Sequence, residues 1–524
     1  QRKEFLYEQP AFPEVEYIFK HALTQEVAYG TVLQERRKVL HEQTAQAIEL
    51  LYKEKLDDCY SALAHHYSRS NNTEKATEYL QLAGQQAVQR SANSEAVTHL
   101  TAALDLLKTL PETPEGTQQE LLLQIALGLP LIFIKGYTAP EVGKTYTRAR
   151  ALCLQVGEPS QLFQILRGLL AFDLNRGEMQ TAHEIGKQLL NLAKDQQNPL
   201  LLLEAHYSMA LTLFPLGEMR LAYEHAEQCE FLYNPQYNSV AFYSVENPSV
   251  SCLRFTSFAL WMLGYPDKAL KKSQQAFTLA RELSHPFSLA WDLVGASWLY
   301  RFRREENMVR THAEEAIRLS IEQGFPFWLA IGNIHQGWAL AEQGQPQEGI
   351  TQIHQGLAAL RVLGAEGWRQ YFFAALADAY GKGGKTEEGL AVLAEALSAM
   401  DKTGERFWET ELYRLKGELT LQREARGWRL ETSSPSPQAS SLKPLVSNGA
   451  EREAEECFLK AIEIAQKQQA KSLELRATVS LARLWQQQGK RVEARQILGD
   501  IYSWFTEGFD TKDLQEAQAL LESL

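Results

Sequence analysis

At 524 residues, 45% of them hydrophobic, the chain is too long for one compact core and apolar enough to bury a continuous core along a repeat array. A formal net charge of −12 argues against nucleic acid as the main partner, because phosphate binding needs clustered Lys and Arg. The five cysteines (Cys59, Cys153, Cys229, Cys252, Cys457) form no C-x-x-C pair, which speaks against a zinc site and for a reducing, cytoplasmic setting where each is a small buried apolar residue.

Residues 1–55 stand apart from the rest. Glu16-Tyr-Ile-Phe-Lys20 predicts a short strand, His21-Ala-Leu-Thr-Gln-Glu-Val-Ala-Tyr29 begins a helix, and Arg36-Arg-Lys-Val-Leu-His41 begins another. Further on, the most apolar run, Leu121 to Ile134, contains Gln124, Gly128 and Pro130 and is too short to span a bilayer, so it predicts a buried helix. The chain opens at Gln1 without a Met, and we read it as part of something larger.

From there the sequence repeats. Small residues at Ser257, Ser297, Gly337, Ala377 and Gly417 recur at one constant interval of about 40 residues and lie in apolar helical segments. A turn follows each of the first four, at Gly264, Arg304, Gly344 and Gly384. Small residues then recur at Ala269, Gly349 and Gly389 (Val309 is the exception) and at Ala276, Ala316, Gly356 and Ala396. The same frame fits Gly177 with Ala182, Gly217 with Ala222, Gly449 with Ala454 and Ala461, and Gly489 with Ala494; Leu170 breaks the small-residue rule. Two helices joined by a Gly turn form an antiparallel hairpin whose open apolar face needs a neighbour, and stacking at constant offset gives a superhelix.

Two insertions interrupt the frame. Asn234 to Pro248, with Tyr237, Phe242 and Tyr243, is either a lid over the groove or a surface loop. Glu424 to Asn448 is polar and proline-rich and predicts a disordered excursion. The expected organisation is an N-terminal element over 1–55, a superhelix over 56–423, the excursion over 424–448, and hairpins with a capping helix over 449–524.

Sites for chemistry are sparse. Gly381-Lys-Gly-Gly-Lys-Thr386 has Ala379 where a phosphate loop needs its first Gly, lacks a preceding strand and falls on a repeat turn. His65-His66 and the other histidines lack metal-ligand spacing, and no catalytic or cofactor-binding motif emerges. Glu305-Glu306 and Glu387-Glu388 suit helix starts, and Glu314-Glu315 a solvated face.

The small slot, Gly turn and second-helix Ala pair resemble the tetratricopeptide repeat, stretched beyond that family's usual length of roughly 34 residues. That resemblance implies an all-α, right-handed solenoid of helical hairpins whose first helices line a concave groove. Counting back three, six, ten and thirteen positions from the turns gives groove candidates Arg167, Tyr207, Phe214, Arg254, Phe258, Trp261, Trp291, Trp298, Arg301, Trp338, Tyr371 and Asp378. Aromatics interleaved with arginines suit a peptide, a protein or a small ligand with an apolar body and an anionic group. They equally suit a core between hairpins.

Phe19-x-His21-x-Leu23, Tyr29 and Arg36-Arg37-x-x-Leu40-His41 resemble the end of the winged-helix element of signal-transduction ATPases with numerous domains. Gly136-Tyr-Thr-Ala-Pro-Glu-Val, His285-Pro-Phe-Ser, Gly337-Trp-Ala-Leu, Gly404-Glu-Arg-Phe, Ala470-Lys-Ser-Leu-Glu-Leu-Arg and Trp504-Phe-Thr-Glu-Gly-Phe-Asp resemble the C-terminal region of bacterial class III adenylate/guanylate cyclases that also carry an AAA-type ATPase. The resemblance implies a parent that binds ATP with Mg, a His21 that touches its bound nucleotide, an upstream ATPase domain as partner and room for an oligomer formed through that parent. For this chain it implies no cofactor and no enzyme activity, but a regulatory binding arm; the alternative is a passive scaffold or oligomerisation arm.

Overall fold

The computed structural model describes residues 6–10, 15–19, 21–157, 159–239, 245–432 and 443–524. The chain divides into two compact units, Gln1–Pro130 and Leu131–Leu524. The division lies well beyond the boundary expected near residue 55.

In the first unit β1 (Leu6–Pro10) pairs antiparallel with β2 (Val15–Phe19), Leu6 opposite Phe19. The predicted helices follow as α1 (Ala22–Thr31) and α2 (Gln34–Leu51). A 3₁₀ segment leads into α3 (Tyr60–Tyr67), α4 (Thr73–Gln89) and α5 (Asn93–Leu107). The Asn72 side chain caps α4 by accepting the Lys75 N–H, filling one of the donors a helix start leaves open. Ala76, Leu80, Ala83 and Ala87 then make one buried stripe that packs against Ala96, Leu100 and Ala103 of α5. Tyr67 and Tyr79 stack at 5.4 Å and both donate to Glu49, at 2.8 and 2.5 Å.

Helix α6 (Pro114–Lys135) crosses the division. It is longer than the apolar run it contains and, by length and composition alone, long enough to cross a bilayer. Within the protein 44% of its apolar window is buried.

The second unit is a solenoid of hairpins. After α7 (Pro140–Val156) come the pairs α8 (Pro159–Asn175) with α9 (Met179–Gln196), α10 (Pro199–Leu213) with α11 (Met219–Leu232), and α12 (Pro248–Met262) with α13 (Pro266–Glu282). Next are α14 (Pro286–Phe302) with α15 (Glu306–Gln323), α16 (Pro326–Glu342) with α17 (Pro346–Val362), and α18 (Arg369–Lys382) with α19 (Thr386–Thr403). The array ends with α20 (Glu409–Thr432) and α21 (Lys443–Lys467), α22 (Lys471–Gln487) and α23 (Arg491–Tyr502), and α24 (Lys512–Ser523).

The turns fall where the repeat places them. Gly177, Gly217, Gly264, Gly344, Gly384 and Gly489 all adopt positive φ, and Arg304 takes the same left-handed conformation at φ 61°. Each ends its helix with a bond spanning the turn, such as Tyr265 N–H to Leu260 O at 2.8 Å. A second ladder joins one hairpin to the next at Ser284, Gly324, Gly364 and Gly404, also left-handed. Pro266, Pro286, Pro326 and Pro346 follow two residues after such turns, at the first helical position where their missing N–H costs nothing.

One turn departs from expectation. Gly449 lies inside α21, so it ends no helix there. Helical structure also enters the predicted excursion from both sides, to Thr432 and from Lys443, while residues 433–442 lie outside the described residues.

Helices α8 to α24 with even numbers pack on one another and form the inner layer. Their composition explains this. Helices α12 and α14 are apolar almost all round and buried along nearly their whole length, whereas α13 buries a stripe built from Ala269, Ser273, Ala276 and Ala280. The coil then returns on itself after five hairpin steps, from α8 to α18. Glu366 and Gly367 N–H bond to Asn175 O at 3.0 and 2.9 Å, and Arg406 N–H bonds to Pro215 O at 2.7 Å. Further along, Ser472 Oγ donates to Trp261 O at 2.5 Å and Gly508 N–H to Asp267 at 2.9 Å.

Candidate ligand-binding site

That closure decides what the aromatic stripe does. The connecting segments that carry Trp368, Phe407 and Trp408 enter the concave side and meet the stripe. Trp298 lies 5.2 Å from Trp368, 4.6 Å from Tyr371 and 5.7 Å from Phe258, ring centre to ring centre. Phe214 meets Phe407 at 5.2 Å, and Trp261 stacks on Phe302 at 5.0 Å. Phe214, Phe258, Trp261 and Tyr371 are therefore core residues of a filled coil, at 2% exposure or less. Rings in tilted and edge-to-face contact add about 0.5–1.5 kcal/mol per pair beyond burial, which favours this packing over an open groove.

Arg254 also lies inside, at 0% exposure. Its Nε donates to Asp292 at 3.1 Å with a second, shorter bond from Nη2, and Nη1 donates to Ser273 at 2.5 Å. It ties α12 to α14 and α13, and its aliphatic stem fills the space left by Gly295. Burial pushes the Asp292 carboxyl up despite the guanidinium beside it.

Among the described residues, two cavities lie against the inner helices of the coil. The first is small, about 40 Å³, and aromatic: Trp291, Trp298, Trp328 and Trp368 line it with Tyr137, Arg167 and Tyr207. Glu246 also lines it, a residue that no sequence pattern singles out, from the segment expected to be a lid or a surface loop. Its buried carboxylate accepts from Tyr137 at 3.1 Å, from Arg167 at 3.2 Å and from Tyr207. Glu204 adds a second carboxylate 3.7 Å from Arg167. The end of the segment thus packs inside, capped by Asn247 at the start of α12, while Phe242 and Tyr243 lie outside the described residues.

The second cavity, about 210 Å³, is lined by charge. Helices α14, α16, α18, α20, α22 and α24 each present side chains to it. Arg304 pairs with Asp513 and Glu516 at 3.1 and 2.9 Å, and Arg483 with Glu516 at 2.9 Å. Arg476 pairs with Asp513 at 2.5 Å, and Arg414 with Glu411 at 2.7 Å and with Glu418. On the opposite wall Lys382 holds Glu342 at 2.8 Å and Asp378 at 3.4 Å.

Electrostatics separates the last three groups. Burial and the neighbouring Asp378 push the Glu342 carboxyl up to about 7, so it carries a proton part of the time at neutral pH. Burial acts in the same direction on Asp378, but Lys382 and the Trp338 N–H outweigh it and hold that carboxyl down at about 2. The indole Nε1–H of Trp338 donates to Asp378 at 2.9 Å.

Arg301 is different. Its guanidinium lies 4.2 Å from the Tyr371 ring centre and 5.5 Å from that of Trp338, with Nη1 donating to Tyr371 O at 3.3 Å. It is 6% exposed, and among the described residues it has no carboxylate in ion-pair reach. Trp408 lines the same cavity, and among the described residues its Nε1–H has no acceptor. Of the groove candidates, Arg301, Trp338 and Asp378 meet here, while Arg167, Tyr207, Trp291 and Trp298 meet at the aromatic cavity. His21, in the other unit, is exposed just before α1 and makes no capping bond.

No family model matches the chain. It is 27% identical over 409 residues to an uncharacterized protein of Rhizobium meliloti (strain 1021), covering 76% of this chain and 39% of that protein, so it spans about two fifths of that relative's length. Among solved structures it is similar to the Rap protein complexed with competence and sporulation factor, with 10% identity, a TM-score of 0.44, and coverage of 66% of this chain and 99% of that one. It is also similar to the human IFIT1 dimer with PPP-AAAA, with 13% identity, a TM-score of 0.40, and coverage of 85% and 89%.

Proposed function

We propose that the chain is a ligand-sensing regulatory arm of a longer signal-transduction ATPase, and that its ligand occupies the charge-lined cavity of the second unit. The observation that carries this is a cavity whose wall draws on six inner helices at once. A molecule held there touches every hairpin from α14 to α24, so its differential affinity for two arrangements of the coil shifts their balance. The lining is made mostly of ion pairs and aromatic rings, and its one hydroxyl, Ser480, donates to Glu418 at 2.9 Å, a carboxylate already paired with Arg414, which favours binding over catalysis. The parent's ATP, Mg and cyclic-nucleotide chemistry belong to this proposal through the sequence resemblance, as does the role of His21.

A thermal-shift screen of the full chain against amino acids, short peptides and nucleotides tests it. A compound that raises the melting temperature in proportion to its concentration, and fails to do so with Asp378→Asn, supports the reading. A flat response across all three panels overturns it.

One observation favours a second reading, a protein-docking scaffold. In the first unit Leu23, Val27, Leu33, Leu50 and Leu51 of α1, α2 and their junction are exposed apolar side chains. Self-association at micromolar concentration by sedimentation, with no ligand response, would select it.

A further inference from the structure

We infer that the charge-lined cavity takes a free α-amino acid with a polar side chain, its carboxylate on Arg301 and its ammonium at Asp378 and Glu342. The inference deepens the sensor reading and rests on it. Three features of the wall point to this ligand class.

The first is an unpaired cation. Every other basic residue of the lining has a carboxylate within 4.0 Å, whereas Arg301 has rings on its sides and a single backbone acceptor. A buried guanidinium with unused donors is a carboxylate receptor, since it can give two parallel N–H bonds. Trp408 adds a further donor without an acceptor among the described residues.

The second is an excess of acid beside it. Glu342 and Asp378 share one Lys382, at 2.8 and 3.4 Å. A ligand ammonium placed there supplies the second cation.

The third is spacing. Trp338 joins the two subsites: Arg301 flanks its ring at 5.5 Å and Asp378 accepts from its N–H at 2.9 Å. Both ends of the ligand must therefore bind around a single indole. An α-amino acid, whose two charges sit on adjacent bonds to one carbon, meets that demand better than the separated termini of a longer peptide. The far wall, with Arg414, Glu418, Arg483 and Glu516, is made of ion pairs and suits a polar side chain rather than an aliphatic one. A cavity of about 210 Å³ accommodates a molecule of that size.

The test is calorimetric titration of the full chain with each proteinogenic amino acid, followed by the N-acetyl and C-amide derivatives of any that bind. The expected result is one-to-one binding of a polar amino acid, weakened at least tenfold by either block. Asp378→Asn, nearly isosteric, should weaken it at least tenfold in protein that remains folded at the titration temperature. Arg301→Lys should do the same, and if that variant melts early the Asp378→Asn result decides alone. Absence of binding by any amino acid overturns the inference, as does equal binding of blocked forms. Binding of tri- or tetrapeptides alone overturns it while leaving the sensor reading intact.

Discussion

Replacing Gly337 by Ala tests the packing on which the repeat rests. The corresponding slot in the next hairpin already holds Ala377, so from sequence the change is mild. In the structure a Cβ at Gly337 lies 2.7 Å from Gly349 O and 2.9 Å from Ile353 N, both backbone atoms that cannot rotate aside. Overpacking costs about 1–3 kcal/mol, and a backbone obstacle places this case near the upper end. The better helix propensity of Ala offsets about 1 kcal/mol. The net loss of about 2 kcal/mol corresponds to roughly a 30-fold rise in local opening. Hydrogen–deuterium exchange should therefore show amides of α16 and α17 exchanging about 30-fold faster, with α4 and α5 unchanged. Gly344→Ala provides the contrast: nothing lies within 4 Å of its Cβ, and only the left-handed φ of 85° opposes it. That strain costs about 1 kcal/mol, or about fivefold. If Gly337→Ala exchanges at the wild-type rate, or more slowly than Gly344→Ala, the close backbone approach between α16 and α17 is refuted.

Glu405 is buried, accepts the Trp368 N–H at 2.9 Å, and burial pushes its carboxyl well above the usual range. The unfolded chain loses that proton near its ordinary value of about 4.3, so above that pH the unfolded state binds fewer protons and stability falls as pH rises. Glu405→Gln should thus melt higher than the wild type at pH 8 and alike at pH 4; parallel curves across that range would contradict the burial. Arg254→Met should cost about 3–5 kcal/mol by stranding Asp292, and adding Asp292→Leu should restore most of it, since the pair together is worth little over apolar residues. Additive losses in denaturation would show the pair is not coupled. Glu246→Ala should cost about 3 kcal/mol by depriving Arg167 of its nearer carboxylate and should speed proteolysis before Asn247; an unchanged digestion pattern would mean Glu246 does not anchor that segment.

The regular frame of Ser257, Ser297, Gly337 and Ala377 suffices to place helices and most turns, because left-handed turns and close helix pairs restrict residue type locally. Gly449 misleads because a glycine in the correct frame is tolerated in an open helix face, with nothing within 4 Å of its Cβ. The second ladder, Ser284, Gly324, Gly364 and Gly404, recurs at the same interval as the first and is equally legible, since Gly and Ser are both turn residues. The fate of the aromatic stripe is beyond the reach of periodicity. Phe214 meets Phe407, and Trp261 borders Ser472, and nothing periodic along the chain says which turn of a coil touches which. The charged cavity is equally hidden, since Glu342, Lys382, Arg483 and Glu516 each look like solvated helix residues until six helices bring them face to face. Glu246 is concealed by its setting in an irregular insertion.

The bonds from Asn175 to Glu366 and from Pro215 to Arg406 have a mechanical consequence. An array joined only through adjacent repeats stretches and melts piecemeal, each repeat coupled to two others. Here the threads of the screw touch, so each hairpin also leans on the one five places along. Such a body resists lengthening as a whole, because opening one thread also breaks its bonds to the thread beside it.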